Sequence, residues 1–428
     1  MRGSVVLRAL AGARGSRLEG LLGDGLRPLG SLGGARGGFE RVVAAVSGIE
    51  EAEAGAGLPA GAARAEAIAV RLREDGAAVS WGEPVRVGGV EELLDLCRER
   101  GRSSVELLAA DPTLLAGMQL GSWFEAPWKA RARRRLALGR PGRGLGGSVR
   151  GSERRLRVAA DLAFWEGVRA RADGRLWRRL TRDSYVALVY HRFAGELAPG
   201  QERIDIAPRR FDRQLRALRV AGFRPVSAER LVDFHAGDDD LPRRGIVITV
   251  DDGMADCIGP LKRRARWQPQ LFVPTAELGG EAHWIGGEPV ASWEEIAELE
   301  RRGVGIGSHA RHHHRLSPLD RERRRRELEG SREDLRERLA RPLPFIAFPN
   351  GDHDAELCAE AAAAGYRAAY TTEKGRNGAG TDVHCLKRVS VHGHDGVPAI
   401  LWKALTGEGL PAPWRRYRDR RHPPQDRS

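Results

Sequence analysis

The 428-residue chain is poor in several residue types, and each shortage removes a class of protein. It has four cysteines, Cys97, Cys257, Cys358 and Cys385, with no Cys-x-x-Cys pair among them. That is neither a disulfide framework nor a zinc-ribbon pattern, and the expectation is four buried thiols. Lysine is scarcer still, with five lysines against 66 arginines, so the net charge of +13 rests almost wholly on arginine. Arginine stands even on helix faces where lysine would serve. The excess therefore reads as a composition bias, and no nucleic-acid partner is expected from it. No run approaches the roughly 18 apolar residues of a membrane-spanning helix. The start, Met1 to Ser16, is broken by Arg8 and Arg14 and lacks the apolar core of a secretory signal. A cytoplasmic or membrane-peripheral location is the expectation. Histidine is absent from the first 190 residues, so any imidazole chemistry belongs to the C-terminal half.

What the chain does have, 41% hydrophobic and 30% charged residues, is enough for a sizeable core and two or three domains. Residues 1–138 read as an N-terminal region of small α-rich or α+β character. Phe39 to Ser47 is a short strand or helix, Ala67 to Glu74 and Val90 to Glu99 repeat apolar residues at helical spacing, and Val79 to Trp81 suits a strand. Trp123, Phe124 and Trp128 run into Arg131 to Arg135, a basic-aromatic combination suited to peripheral membrane contact or to a helix with a solvated basic face. Residues 139–151, with six glycines and a proline, form a linker. Residues 152–183 return to helical spacing and read as an amphipathic connector. From 184 to 405 short apolar runs alternate with helical stretches, the pattern of a parallel sheet or barrel, and 406–428 is a basic, disordered tail.

Three apolar runs end in polar residues, which is where parallel α/β folds place their sites. Gly245 to Val250 delivers Asp251 and Asp252 into a glycine turn. Adjacent side chains diverge, so one carboxylate can bind a metal while the other accepts a proton, or Asp256 can simply cap the next helix. Val304 to Ile306 leads to Gly307-Ser308-His309-Ala310-Arg311-His312-His313-His314. His309 and His313 meet one ion if the segment turns helically, since residues four apart share a face. An Asp-His-His set leaves positions open on a divalent ion, as a catalytic site requires. The third end, Phe345 to Asp352, contains Pro349 and Gly351, which let backbone approach a ligand closely.

Taken in order, Thr249-Val250-Asp251-Asp252-Gly253, Gly307 to His313 and Phe345 to Asp352 resemble the motifs of the polysaccharide deacetylase family, the NodB-homology carbohydrate esterases. Leu188 to Phe193, with His191, and Tyr370 to Asn377 add to the resemblance, which covers residues 184–405. It implies a distorted (β/α) barrel with fewer than eight strands and hydrolysis of N-acetyl groups on an amino-sugar glycan. An O-acetyl esterase and a carbohydrate-binding scaffold with weak turnover are the alternatives. Residue by residue it implies Asp251 as catalytic base, and Asp252, His309 and His313 as ligands of a divalent metal, usually Zn2+. A late histidine serves as general acid, with His392 the first choice and His394 a substitute. His191, Pro349 and Gly351 are the expected substrate-binding residues. Three positions depart from the pattern, the first being Val250 in place of the usual Phe. Ala310 replaces a Ser or Thr that braces the metal loop, and Ala347 stands where many members carry an arginine that orients the base. Arg388 is expected to take over that second task. Phe193, Trp284 and Tyr370 are further aromatic candidates for a sugar platform or for the core.

Overall fold

The computed structural model describes residues 6–10, 41–45, 79–81, 90–116, 118–139, 153–194 and 205–411. They fall into two compact units that meet in sequence between Arg182 and Asp183. In the first unit three backbone strands, β1 (Val6–Leu10), β2 (Arg41–Ala45) and β3 (Val79–Trp81), form an antiparallel sheet in the order β2-β1-β3. The helical spacing at 67–74, most of the linker and residues 412–428 lie outside the described residues.

Four helices follow, α1 (Val90–Ala110), α2 (Trp128–Leu138), α3 (Glu153–Arg171) and α4 (Gly174–Thr181). Helices α1 and α3 cross where each carries a glycine. A Cβ on Gly101 would lie 2.1 Å from the Phe164 carbonyl oxygen, and one on Gly167 would lie 1.8 Å from that of Arg98. Residues 153–181 are thus part of this unit's core, where spacing alone reads a connector. The basic-aromatic combination divides, with Arg133 and Arg135 exposed as a solvated basic face and Trp128 half-buried. Trp123, Phe124, Arg131 and Arg134 are buried. Arg134 lies 5.4 and 5.3 Å over the rings of Trp123 and Trp165 and pairs with Asp161, its Nε 2.9 Å from Oδ2. Its charge is used inside the protein, so membrane contact through these aromatics is not supported.

In the second unit seven parallel strands run β12-β11-β10-β7-β6-β4-β14, built from β4 (Ser184–Tyr190), β6 (Gly245–Val250), β7 (Gln270–Val273), β10 (Gly305–Ser308), β11 (Phe345–Ala347), β12 (Ala368–Tyr370) and β14 (Arg388–Ser390). A parallel bridge between Tyr370 and Leu386, just before β14, brings the two ends of this series together. The sheet is therefore a nearly closed, seven-stranded barrel, the distorted (β/α) barrel with fewer than eight strands that the resemblance implies. The short strand β5 (Arg224–Pro225) adds to β6, β13 (Asn377–Gly378) pairs antiparallel with β4, and β8 (Glu281–Ala282) with β9 (Glu288–Pro289) makes a separate hairpin.

Helices α5 (Pro208–Val220), α6 (Ala228–Ala236), α7 (Ile258–Arg264), α8 (Trp293–Arg301), α9 (Arg321–Arg338), α10 (Ala355–Ala363) and α11 (Val397–Thr406) connect or follow the strands. Every residue of β4 and β6 is buried, which explains why these strands are continuous apolar runs. Period-two alternation divides each strand. Leu188, Tyr190, Ile248 and Val250 join Phe211, Leu215 and Leu218 of α5 in the outer core. At roughly 1.5–3 kcal/mol per large side chain, that layer fixes the register. Thr249 and Asp251 alternate with those outer residues and so fall on the other face, toward the barrel interior.

Some expectations change here. Cys358 and Cys385 form a disulfide joining α10 to the segment that feeds β14, while Cys97 and Cys257 are free thiols, Cys257 fully buried. Asp256 does not cap a helix, because its Oδ1 accepts from the Phe193 N–H at 3.1 Å and its Oδ2 faces Arg192 at 3.5 Å. Residues 407–411 stay on the fold, with Trp402 donating to the Gly409 carbonyl at 3.0 Å, so the packed chain extends beyond 405.

Candidate active site

The barrel gathers its polar residues at the C-terminal ends of the strands. Asp251 and Asp252 follow β6, His309 follows β10, Pro349 follows β11, and His191 and His392 follow the paired strands β4 and β14. The turn after β6 separates the two aspartates, since Asp252 is left-handed at φ 72° and Gly253 at φ 63°. A non-glycine residue held there costs on the order of 1–3 kcal/mol, so the surroundings must enforce it.

Asp251 turns toward the interior, where Arg388 Nη1 donates to its Oδ1 at 2.7 Å. Arg388 is fully buried, donates from Nε to the Thr371 carbonyl at 2.8 Å, meets Thr249 Oγ1 at 3.3 Å, and lies 5.5 Å over the Tyr370 ring. Burial pushes the Asp251 carboxyl up, but the Arg388 guanidinium and the His309 imidazole outweigh it and hold the group below the usual carboxylate range.

Asp252 turns the other way. Its Oδ1 lies 3.4 Å from His309 Nε2 and 3.2 Å from His313 Nε2. The three donor atoms lie within 4.8 Å of one another, the one such group of His, Cys, Asp or Glu among the described residues. Burial again opposes ionisation, yet the bonds from His309 and His313 keep Asp252 well below the ordinary value. His309 is pushed down by burial and up by Asp251 and Asp252, and the carboxylates win. His313 ends below the ordinary imidazole value, because burial and the His309 charge outweigh its bond to Asp252.

The donor set fits a divalent ion. His309 Nδ1 sits 2.6 Å from the Ala347 carbonyl oxygen, which can only accept, so Nδ1 carries a proton and Nε2 is the atom whose lone pair would face an ion once its own proton leaves. A tetrahedral ion with bonds of roughly 2.0–2.1 Å holds its ligand atoms about 3.3 Å apart, the spacing seen between Asp252 and each imidazole.

The histidines converge by a different route from the one their spacing suggests. The segment is not helical: Ala310 at φ 62° and His313 at φ 57° make a loop that doubles back. Trp284, between β8 and β9, stacks on His313 with centroids 4.2 Å apart and planes 21° apart. Phe193 and Tyr370 are buried core residues, so of the three aromatic candidates only Trp284 touches the Asp252-His309-His313 group.

The remaining expected residues separate. His191 lies near enough for its charge to act on both aspartates. His392 N–H donates to Asp395 Oδ2 at 2.7 Å, which fixes the turn that carries it. Gly351, at φ 70°, packs closely on Thr372, where a Cβ would lie 2.0 Å from Thr372 Oγ1. Pro349 is buried two residues beyond Ala347. Sequence reasoning missed Glu327, Ser331 and Asp334 on α9, and Lys403 on α11, all of which hold site loops. Nothing in an Arg/Glu-rich helix distinguishes Glu327 from its neighbours until the loop it faces is known.

Comparison with known proteins agrees with the resemblance. The polysaccharide deacetylase family description matches residues 238–369. The chain is 21% identical over 207 residues to YxkH of Bacillus subtilis (strain 168), named after the same family, covering 48% of this chain and 70% of that one. It is 26% identical over 147 residues to the poly-beta-1,6-N-acetyl-D-glucosamine N-deacetylase of Escherichia coli (strain K12), covering 31% of this chain and only 21% of that one. Among solved structures, the Streptococcus pyogenes deacetylase PplD in complex with acetate aligns with a TM-score of 0.47 at 20% identity, over 53% of this chain and 100% of that chain. IcaB from Ammonifex degensii aligns at 0.45 and 24% identity, over 53% of this chain and 97% of that chain.

Proposed function

We propose, from the premise that this chain carries a polysaccharide deacetylase domain, that it hydrolyses N-acetyl groups of an amino-sugar glycan with a divalent metal, Zn2+ first among the choices. The observation that carries the reading is the divergence of two adjacent carboxylates. Asp252 faces two imidazole nitrogens at metal-ligand spacing, while Asp251 is held apart by a buried arginine.

Asp252, His309 and His313 would hold the ion, which when bound supplies a Lewis acid for the acetyl carbonyl and lowers the pKa of a coordinated water. Asp251 is the general base. Its Oδ1 is occupied by Arg388, which leaves Oδ2 to accept a proton from water. Arg388 is a positioning residue that fixes the carboxylate plane. His392, at the mouth of the paired strands β4 and β14, is the proton donor to the leaving amine, which would depart as a free amino sugar while acetate forms. His191 and Pro349 border the same mouth and contact the glycan.

Acetate release from an N-acetylglucosamine oligomer tests the reading, with and without chelator. Asp251→Asn is expected to lower kcat by about 10²–10⁴-fold with metal retained. His309→Ala is expected to lose both metal and turnover. Release that survives chelation, or an unimpaired Asp251→Asn variant, would overturn it.

A further inference from the structure

Ala310 offers no hydroxyl to brace the loop between His309 and His313, yet the loop is held firmly from outside. Helix α9 lies beside it and presents Glu327, Ser331 and Asp334, residues four and three apart and so on one face. Glu327 is buried, and its Oε2 accepts from the backbone N–H of Arg311 and of His312, each at 2.9 Å. Its Oε1 lies 2.7 Å from His312 Nδ1. Ser331 Oγ meets Ser308 Oγ at 2.8 Å, and Ser308 Oγ in turn accepts from the Ala310 N–H at 3.0 Å. Asp334 accepts from Arg311 Nε at 3.1 Å and Nη2 at 3.3 Å, and from Thr275 Oγ1 at 2.6 Å.

We propose that Glu327 is the positioning residue of the metal loop, with Ser331 and Asp334 as its supports, and that it replaces the missing hydroxyl by setting the affinity of the Asp252-His309-His313 site. This rests on the metal reading above. The physical reason is that a loop with two left-handed non-glycine residues, Ala310 and His313, is unfavourable on its own. One carboxylate accepting two consecutive backbone N–H groups converts that loop into a preformed one. The imidazoles then pay no further ordering cost when an ion arrives. Residues that orient metal ligands from outside typically contribute 10–100-fold to affinity.

The test uses Co2+ added to the full, metal-stripped chain, read by its d–d absorption, for wild type, Glu327→Ala, Glu327→Gln and a control on the exposed face of α9, Glu329→Ala. Glu327→Ala is expected to bind Co2+ at least about tenfold more weakly with an altered spectrum. Glu327→Gln, whose carbonyl can still accept, is expected to recover part of the affinity, and Glu329→Ala to match wild type. Hydrogen exchange on metal-free wild type gives a second measurement that needs no variant to fold. The Arg311 and His312 amides are expected to be protected before metal is added. A folded Glu327→Ala variant with wild-type affinity, or free exchange of those amides until metal binds, overturns the brace alone. A wild-type chain that takes up no Co2+ overturns the site reading and the brace together, so the two failures are told apart.

Discussion

Asp251 and Asp252 are adjacent in the chain, both buried and both near His309, yet their hydrogen-bond partners differ. Asp251 answers to one guanidinium at 2.7 Å, and Asp252 to two imidazoles. Replacing Arg388 by Met leaves burial as the main influence on Asp251, so its carboxyl rises. The acid limb of kcat/KM should then move to higher pH than in wild type. The sign for stability follows from the same shift. A carboxylate held below its unfolded value of about 3.9 contributes stability above that pH and loses it as pH falls through the folded value. Arg388→Met should therefore cost about 3–5 kcal/mol at neutral pH, as breaking a buried ion pair does, with the gap from wild type narrowing below about pH 4. Denaturant titration at pH 7 and pH 3 checks both halves. At this scale much of the site is readable in the sequence, because Asp, His and Gly at strand ends are distinctive residue types. One fact is not. His309 is oriented by the carbonyl of Ala347, and a backbone oxygen has no residue identity to read. The contact of Arg388 with Asp251, 137 positions apart, was expected, but only through the family resemblance, since it forms once the barrel closes.

At the scale of elements, helices α9 and α11 share a pattern, each holding a loop that carries a histidine. Lys403 of α11 is buried and donates to the Ser390 carbonyl at 2.8 Å and to Asp395 Oδ2, the same oxygen that accepts from the His392 N–H. Gln214 of α5 donates to the Asp395 carbonyl at 2.6 Å and accepts from Tyr190. Removing Lys403 leaves a buried carboxylate without its cation. Lys403→Met should cost about 3–5 kcal/mol in urea denaturation and lower turnover by displacing the His392 turn. A change within about 0.5 kcal/mol, the level of an ordinary surface substitution, would contradict the role given to the pair. The strand-helix alternation over 184–405 was legible, and with it the Arg/Glu-rich stretch that forms α9, but not α11 as a separate helix. Their partners were not legible, since Lys403 on an otherwise apolar helix looks the same from sequence whether it faces solvent or a buried aspartate.

Over the whole molecule, the second unit carries the site and the first has its own core around Arg134 and three tryptophans, Trp123, Trp165 and Trp177. No helix among the described residues is long and apolar enough to cross a membrane. An ion bound only to the folded state stabilises it by mass action, about 4 kcal/mol at a thousandfold excess over Kd. Stripping the metal with chelator should therefore lower the temperature of one unfolding transition by several degrees, and Zn2+ should restore it. Calorimetry that shows the same transitions with and without chelator would argue against a resident ion.

The sequence alone determined that residues 184–405 alternate strand and helix and that chemistry-bearing residues cluster where strands end. Both are local properties, set by side-chain periodicity and by residue type. Only the tertiary structure decided which of those residues meet. It set Gly351 against Thr372, joined Cys358 to Cys385, and buried Trp123, Phe124, Arg131 and Arg134. It also brought Glu327 beneath the histidine loop. The reason is physical: each of these outcomes depends on a close approach between separate segments of the chain, and tertiary packing, of the barrel in one unit and of the helices in the other, sets those distances.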